Sequence, residues 1–247
     1  MRFLVISDIH GNWDALDTVL AAAATEAVDH VVVLGDLVGY GASPNEVVST
    51  VADLAPRRHM IRGNHDKVVA GIDDGEGFNS VALEAAQWTV ERLTEDHLEY
   101  VRRLAQGPTE IAPGFVICHG SPFDEDQYVL ALDEAEEIFR FHTAQMTFFG
   151  HTHVPMLFAA DSERVSGTAL EGDALMIEVD PDKQYLINPG SVGQPRDRDP
   201  RAAYLIYDTE DGRIIWRRQE YPVERAQRRI LDAGLPEVLA YRLAAGL

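Results

Sequence analysis

The sequence predicts an α/β fold that turns to α+β in its second half, with two packed mixed β-sheets flanked by helices. Three observations carry this. Short apolar runs alternate with amphipathic helical segments through the first 66 residues, and the chain becomes strand-rich after Pro113. No linker, repeat or low-complexity tract interrupts the 247 residues, so 1–247 reads as one domain.

Arg2–Ser7 (RFLVIS) is a continuous apolar run of the kind found in a strand buried on both faces. Trp13–Ala27 has apolar residues at helical spacing and many alanines, which favours helix. His30–Leu34 (HVVVL) is the second strand, Pro44–Leu54 a helix opened by its proline, and Arg57–Ile61 the third strand. This alternation implies a parallel sheet with right-handed crossovers. Between Lys67 and Gln106 the pattern is helical. A loop at Asp73–Asn79 precedes helices over Ser80–Leu93 and Asp96–Leu104, the latter capped by Thr94, so that about 67–106 reads as a helical insertion beside the sheet. Strands follow at Phe115–Cys118, Met146–Phe149, Met156–Ala160, Ala174–Val179, Gln184–Ile187, Ala203–Tyr207 and Arg213–Gln219, with a helix near Asp133–His142. The later strands lack intervening helices and predict hairpins in a second, largely antiparallel sheet. Residues 223–247 form two short amphipathic helices split at Gly234–Pro236, with two partners open to them: the core, or a second subunit in a homodimer.

Composition is that of a globular protein, 46% hydrophobic and 25% charged. A formal charge of −20 disfavours long nucleic acids as partners, since these call for a basic face. The lone cysteine, Cys118, permits no intrachain disulfide. The N-terminal apolar run is too short for a secretion signal, and no stretch approaches the 18 or so apolar residues of a membrane span. The expectation is a soluble, cytoplasmic protein without a membrane partner.

The chemistry gathers where the strands end. Asp8 and His10 follow the first strand, Asp36 the second and Gly63-Asn64-His65-Asp66 the third. His119 follows FVIC, and His151 and His153 follow MTFF. In open α/β sheets this edge is where ligands bind. Any one such residue has an ordinary explanation as a turn former, cap or surface group. His30, His59, His97 and His142 fall in that class. The tetrapeptide GNHD alone arises by chance on the order of once in a thousand chains of this size, and four further strand-end matches exclude accident. Asp and His suit divalent ions of intermediate hardness such as Mn²⁺, Fe²⁺ or Zn²⁺. Seven candidate ligands, Asp8, His10, Asp36, Asn64, His119, His151 and His153, exceed one tetrahedral zinc and suit two ions sharing a carboxylate. Such a pair, roughly 3.5–4 Å apart, clamps the attacking and leaving oxygens of an in-line displacement at phosphorus.

D-x-H, G-D, G-N-H-D, H-G and G-H-x-H, in this order, resemble the calcineurin-like metallophosphoesterase superfamily over roughly residues 5–193. The resemblance implies a four-layer αββα sandwich and two divalent transition-metal ions, Mn²⁺ first, with Fe, Zn, Ni or Co as alternatives. It assigns Asp8, His10 and His153 to the first ion, Asp36 to both, and Asn64, His119 and His151 to the second. His65 is implied to donate a proton to the leaving oxygen, with Asp66 orienting it, and water between the ions to be the nucleophile. Two divalent cations against Asp8 and Asp36 leave about +2, so an acidic chain still binds phosphate there.

Serine/threonine protein phosphatases of this superfamily carry G-D-x-V-D-R-G and G-N-H-E. Here GDLVGYG places Gly39 and Tyr40 where Asp and Arg would stand, which counts against protein phosphatase activity. DIHGNWDAL, GDLVGYG and INPGSVGQPRDRDPRAAY look instead like a small prokaryotic branch of phosphodiesterases or diadenosine polyphosphate hydrolases. Arg196, Asn12 and Tyr40 are the candidate substrate contacts. Arg196 has the alternative of a surface arginine in a charged loop, and Asn12 that of a helix N-cap before Trp13. The expected activity is hydrolysis of a small phosphate ester, a phosphodiester or phosphoanhydride of nucleotide type. A phosphomonoesterase with the same site is the alternative, and a non-catalytic metal-binding scaffold the lesser one.

Overall fold

The computed structural model describes residues 1–54 and 57–247. In chain order the elements are β1 (Arg2–Ile6), α1 (Trp13–Ala23), β2 (His30–Val33), α2 (Pro44–Asp53), β3 (Arg58–Met60), α3 (Asn64–Val69), α4 (Ser80–Arg92), α5 (Glu95–Arg102), β4 (Thr109–Ala112) and β5 (Phe115–Ile117). They continue as α6 (Leu132–Phe141), β6 (Met146–Phe148), β7 (Met156–Ala160), β8 (Val165–Ala169), β9 (Ala174–Glu178), β10 (Gln184–Asn188), β11 (Ala202–Asp208), β12 (Arg213–Gln219), α7 (Val223–Asp232) and α8 (Glu237–Ala245).

Two six-stranded sheets run in the orders β3-β2-β1-β11-β12-β9 and β4-β5-β6-β10-β7-β8. The alternation read in the first 66 residues yields the parallel trio β1–β3, as expected. The later strands divide differently from the expectation of one separate antiparallel sheet. β11, β12 and β9 extend the first sheet antiparallel from β1, while β5, β6 and β10 are parallel to one another in the second. Side-chain alternation along each strand decides the layering. Phe3 and Val5 of β1 face inward to Phe115, Phe148, Tyr185, Leu205 and Trp216, filling the space between the sheets. Leu4 and Ile6 face outward onto the helices, with Leu16, Val48, Ala85, Ile230 and Leu239. On the far side Ile138 of α6 covers Phe158 and Leu186. Layers of helix, sheet, sheet and helix result.

The helices of 67–106 join the outer helical layer, where α5 touches α2 and α3. Thr94 caps α5 as expected, accepting from the His97 N–H. The C-terminal helices pack on their own core. Arg225 and Arg229 of α7 donate at 2.5 and 3.0 Å to the buried Asp14 of α1, and the Trp88 indole donates to the Ala233 carbonyl. Among the described residues no helix is long and apolar enough to cross a membrane.

Loop 188–194 binds the two halves of the site edge together. Val192 and Gly193 N–H groups donate to the Ser7 and Asp8 carbonyls, and the Ser191 hydroxyl donates to the Asp8 carbonyl. Gly193 is held so close that a Cβ there would lie 1.7 Å from the Ile9 carbonyl oxygen. Gly193→Ala is therefore expected to destabilise the fold by about 3 kcal/mol. Thermal unfolding should show a Tm lower by about 6–12 °C.

Candidate active site

Five strands of the two sheets end at one edge, and each delivers its polar residues there. Asp8, His10, Asp36, His151 and His153 all have φ between 50° and 66°. This left-handed region is uncommon for residues other than glycine, and Asp, Asn and His tolerate it best. Backbone bonds hold the turns: Asp8 N–H donates to Gly35, His10 N–H to Asp36, and Gly150 N–H to His119.

The turns bring two clusters into contact. Asp8, His10, Asp36 and His153 offer ligand atoms within 4.8 Å of one another, as do Asp36, His119 and His151. Asp36 belongs to both. Its Oδ2 lies 3.4 Å from His10 Nε2 and 3.5 Å from His119 Nε2. Asn64 joins the second cluster with its Oδ1 3.1 Å from His119 Nε2.

The imidazoles are aimed by the backbone. Carbonyls of Val38, Leu34 and Gln194 lie 3.1, 2.7 and 2.5 Å from Nδ1 of His10, His119 and His153, fixing Nδ1 as the donor and leaving Nε2 for the cluster. His151 is turned the other way. Its Nε2 meets the Asp126 carbonyl at 3.1 Å, which leaves Nδ1 for the cluster.

This donor set fits metal ions. Asp8 is 0% and Asp36 1% exposed, and Oδ2 of each has no hydrogen-bond partner among the described residues. His10 and His153 point their Nε2 atoms at each other across 3.0 Å, with both Nδ1 atoms committed to carbonyls. Buried carboxylates with one oxygen left unpaired, beside opposed lone pairs, are unfavourable without a cation. Burial pushes Asp8 up to about 7. Burial would raise Asp36 too, but the adjacent His119 imidazolium holds it well below the usual carboxylate range. Burial works against the charged form of His119, yet Asp36 and Asp8 lift it to about 10. Burial depresses His151 to about 3 and takes His10 and His153 well down, keeping these three neutral.

The model of the calcineurin-like phosphoesterase superfamily domain matches residues 1–212. The chain belongs to that superfamily. An uncharacterized protein of Methanocaldococcus jannaschii is 36% identical over 245 residues, covering 98% of this chain and 97% of its own. The crystal structure of a metallophosphoesterase from Sphaerobacter thermophilus, 38% identical, superposes with a TM-score of 0.87 over 100% of this chain and 99% of that one. A symmetrical bis(5'-nucleosyl)-tetraphosphatase of Sodalis glossinidius is 39% identical over 77 residues, 29% of this chain and 27% of that protein. This phosphoesterase is thus a hydrolase acting on phosphoric ester bonds, of a family that uses divalent metal ions.

Above the clusters lies a chamber of about 390 Å³ bordered by Asp36, Asn64, His65, His151 and His153. Tyr40 and Arg196 line it as well, the Arg196 Nη2 donating to the Tyr40 hydroxyl at 3.4 Å. Asn12 does not. Its carboxamide accepts from the Ala15 N–H, capping α1, and donates to the Gly193 carbonyl and Tyr221 hydroxyl, so no polar atom is left for substrate.

Asp66 also departs from expectation. Its Oδ1 accepts from the Leu37 and Val38 N–H groups and its Oδ2 from Gly63 N–H, so it clamps the Asp36 turn to the start of α3 and does not orient His65. The His65 ring sits instead among Tyr40, Phe78 and His10 at centroid distances of 4.4, 4.4 and 4.7 Å. Its Nδ1 is buried without a partner among the described residues, against Gly39, where a Cβ would come within 2.5 Å. Burial lowers its pKa to about 4. His30, His59, His97 and His142 lie elsewhere: His30 stacks on Phe3 with His59 tilted beside it, and His97 and His142 bond to Asn45 and Thr147. Sequence patterns had no means of selecting Lys67 of α3, or Phe78, Asp126 and Tyr128, which border the chamber from loops without periodicity.

An ion entering the clusters must displace the protons on Asp8 and His119, so the ion-free protein binds more protons than the loaded one. Affinity for a probe ion such as Mn²⁺ is expected to fall as pH falls, more steeply below about 7, where Asp8 also becomes protonated. Calorimetric titration in buffers of different ionisation enthalpy should register proton release. A pH-independent affinity would contradict this account.

Proposed function

We propose that this phosphoesterase hydrolyses phosphodiester or phosphoanhydride bonds of small nucleotide-like substrates, with two divalent transition-metal ions, Mn²⁺ being the first choice. Asp36 carries the proposal, because it is shared by two clusters that otherwise have separate ligands. Asp8, His10, Asp36 and His153 would hold one ion, and Asp36, Asn64, His119 and His151 the other. Bound there, the ions would make water acidic and attract phosphoryl oxygens. The likeness to the Sodalis tetraphosphatase, confined to 77 residues, supports phosphoanhydrides within this range. A cytoplasmic setting suits the lone thiol of Cys118, which is buried.

The remaining steps fall to the chain's own side chains. Arg196 enters the chamber beside Tyr40, and its fork of N–H donors suits two phosphoryl oxygens. Water attacks phosphorus, and the P–O bond to the leaving group breaks as that oxygen gains a proton. His65 is the candidate donor. Gly39 blocks its Nδ1 side, leaving Nε2 to reach the chamber. Burial keeps the free imidazole neutral, and a bound phosphate anion counteracts that effect.

The Mn²⁺-loaded protein is expected to hydrolyse bis(p-nitrophenyl) phosphate faster than p-nitrophenyl phosphate. His65→Ala should lower kcat by about 10²–10⁴-fold at unchanged metal content. Hydrolysis of neither ester above the His65→Ala control would contradict the proposal, and faster monoester hydrolysis would reassign the enzyme as a phosphomonoesterase.

A further inference from the structure

Besides Tyr40, whose hydroxyl Arg196 engages, Phe78 and Tyr128 wall the chamber without serving the metal clusters. Phe78, in the loop before α4, lies 4.4 Å from His65 between ring centres. Tyr128, in the loop before α6, lies 4.1 Å from His151. Tyr128 is 46% exposed and Phe78 half-buried, so apolar ring surface borders the chamber directly above the reacting centre.

The surrounding charges exclude this wall as a channel for further phosphates. The charged side chains lining the chamber beyond the clusters are Lys67, Arg196, Asp73 and Asp126, which sum to zero. Lys67 is neutralised in place, paired to Asp126 and lying 3.5 Å from Asp73 and 3.6 Å from Glu125. A polyphosphate lying along this wall would meet two carboxylates and a lysine already engaged. A planar uncharged group would meet two rings.

Lys67 also holds the rings in position. Asp73 lies in the same loop as Phe78, and Asp126 in the same loop as Tyr128, so a single ammonium ties both loops together before any ligand binds. Such preorganisation reduces the entropy lost on binding.

We infer that Phe78 and Tyr128 form a slot for the planar, uncharged part of the substrate, a nucleobase or comparable aromatic group, whose phosphate lies over the metal clusters. The slot presupposes the phosphate site proposed above and adds the recognition element that separates nucleotides from other phosphate esters.

Adenosine 5'-monophosphate and ribose 5-phosphate carry the same phosphate charge and differ in the base. Each is titrated calorimetrically into the Mn²⁺-loaded protein. The wild type should bind the nucleotide about tenfold more tightly or better, on the scale of a base–aromatic stacking contact. Phe78→Ala and Tyr128→Ala should each reduce that preference several-fold, and Tyr128→Phe should keep it. Ribose 5-phosphate affinity and metal content report separately on whether the variants retain a folded site. Equal affinity for the two phosphates in the wild type, or a preference surviving in the double alanine variant, would overturn the slot while leaving the phosphoesterase proposal standing. Binding of neither phosphate would overturn both.

Discussion

Everything at this site depends on keeping two carboxylates, Asp8 and Asp36, buried within reach of each other and of the same histidines. Each retains an oxygen without a hydrogen-bond partner among the described residues. An unpaired buried carboxylate costs several kcal/mol, and evolution would ordinarily remove it. Here the cost is the source of affinity. The His119 imidazolium offsets part of the charge in the ion-free protein, and divalent cations offset it fully once the site loses its protons. The carbonyls of Val38, Leu34 and Gln194 complete the arrangement by fixing three imidazoles before a ligand arrives.

That constraint explains the shape of the backbone around it. Five residues of the two clusters adopt φ between 50° and 66°, a conformation costing on the order of 1–2 kcal/mol for an ordinary L-residue. Such strain persists only where the surroundings over-determine it. The loop at 188–194 does so for Asp8, and the Asp66 carboxylate does so for the Asp36 turn through three backbone N–H groups. Asp66 therefore acts by holding the turn that carries Asp36. The sheets supply rigidity, the turns supply direction, and the buried charge supplies binding energy.

Much of this was legible in the sequence, for identifiable reasons. Buried parallel strands such as FLVI and VVV announce themselves by uninterrupted apolar runs, and the chemistry at their ends is too improbable to be accidental. The two edge strands of the second sheet escaped notice. β8 (VSGTA) is mostly exposed and carries no apolar signal, and β4 (TEIA) is short with an irregular register against β5, so both exist through pairing that no local pattern encodes. The sorting of β9, β11 and β12 into the first sheet was equally invisible, because either sheet accepts their alternating faces. Asp66 was misplaced, and Asn12 was open between substrate contact and the N-cap it proves to be, because an Asp or Asn beside a helix start suits both roles. Only the three-dimensional partners decide. Lys67 of α3 and the loop residues Phe78 and Tyr128 are brought together only by folding.

The central claim is that Asp36 serves two ions whose remaining ligands are separate. Metal content per chain after Mn²⁺ loading, measured by mass spectrometry for the wild type, His153→Ala, His151→Ala and Asp36→Asn, tests it most directly. The account predicts about two ions in the wild type, about one in each histidine variant and close to none in Asp36→Asn. A wild type holding a single ion, or an Asp36→Asn protein that keeps one firmly bound, would contradict it.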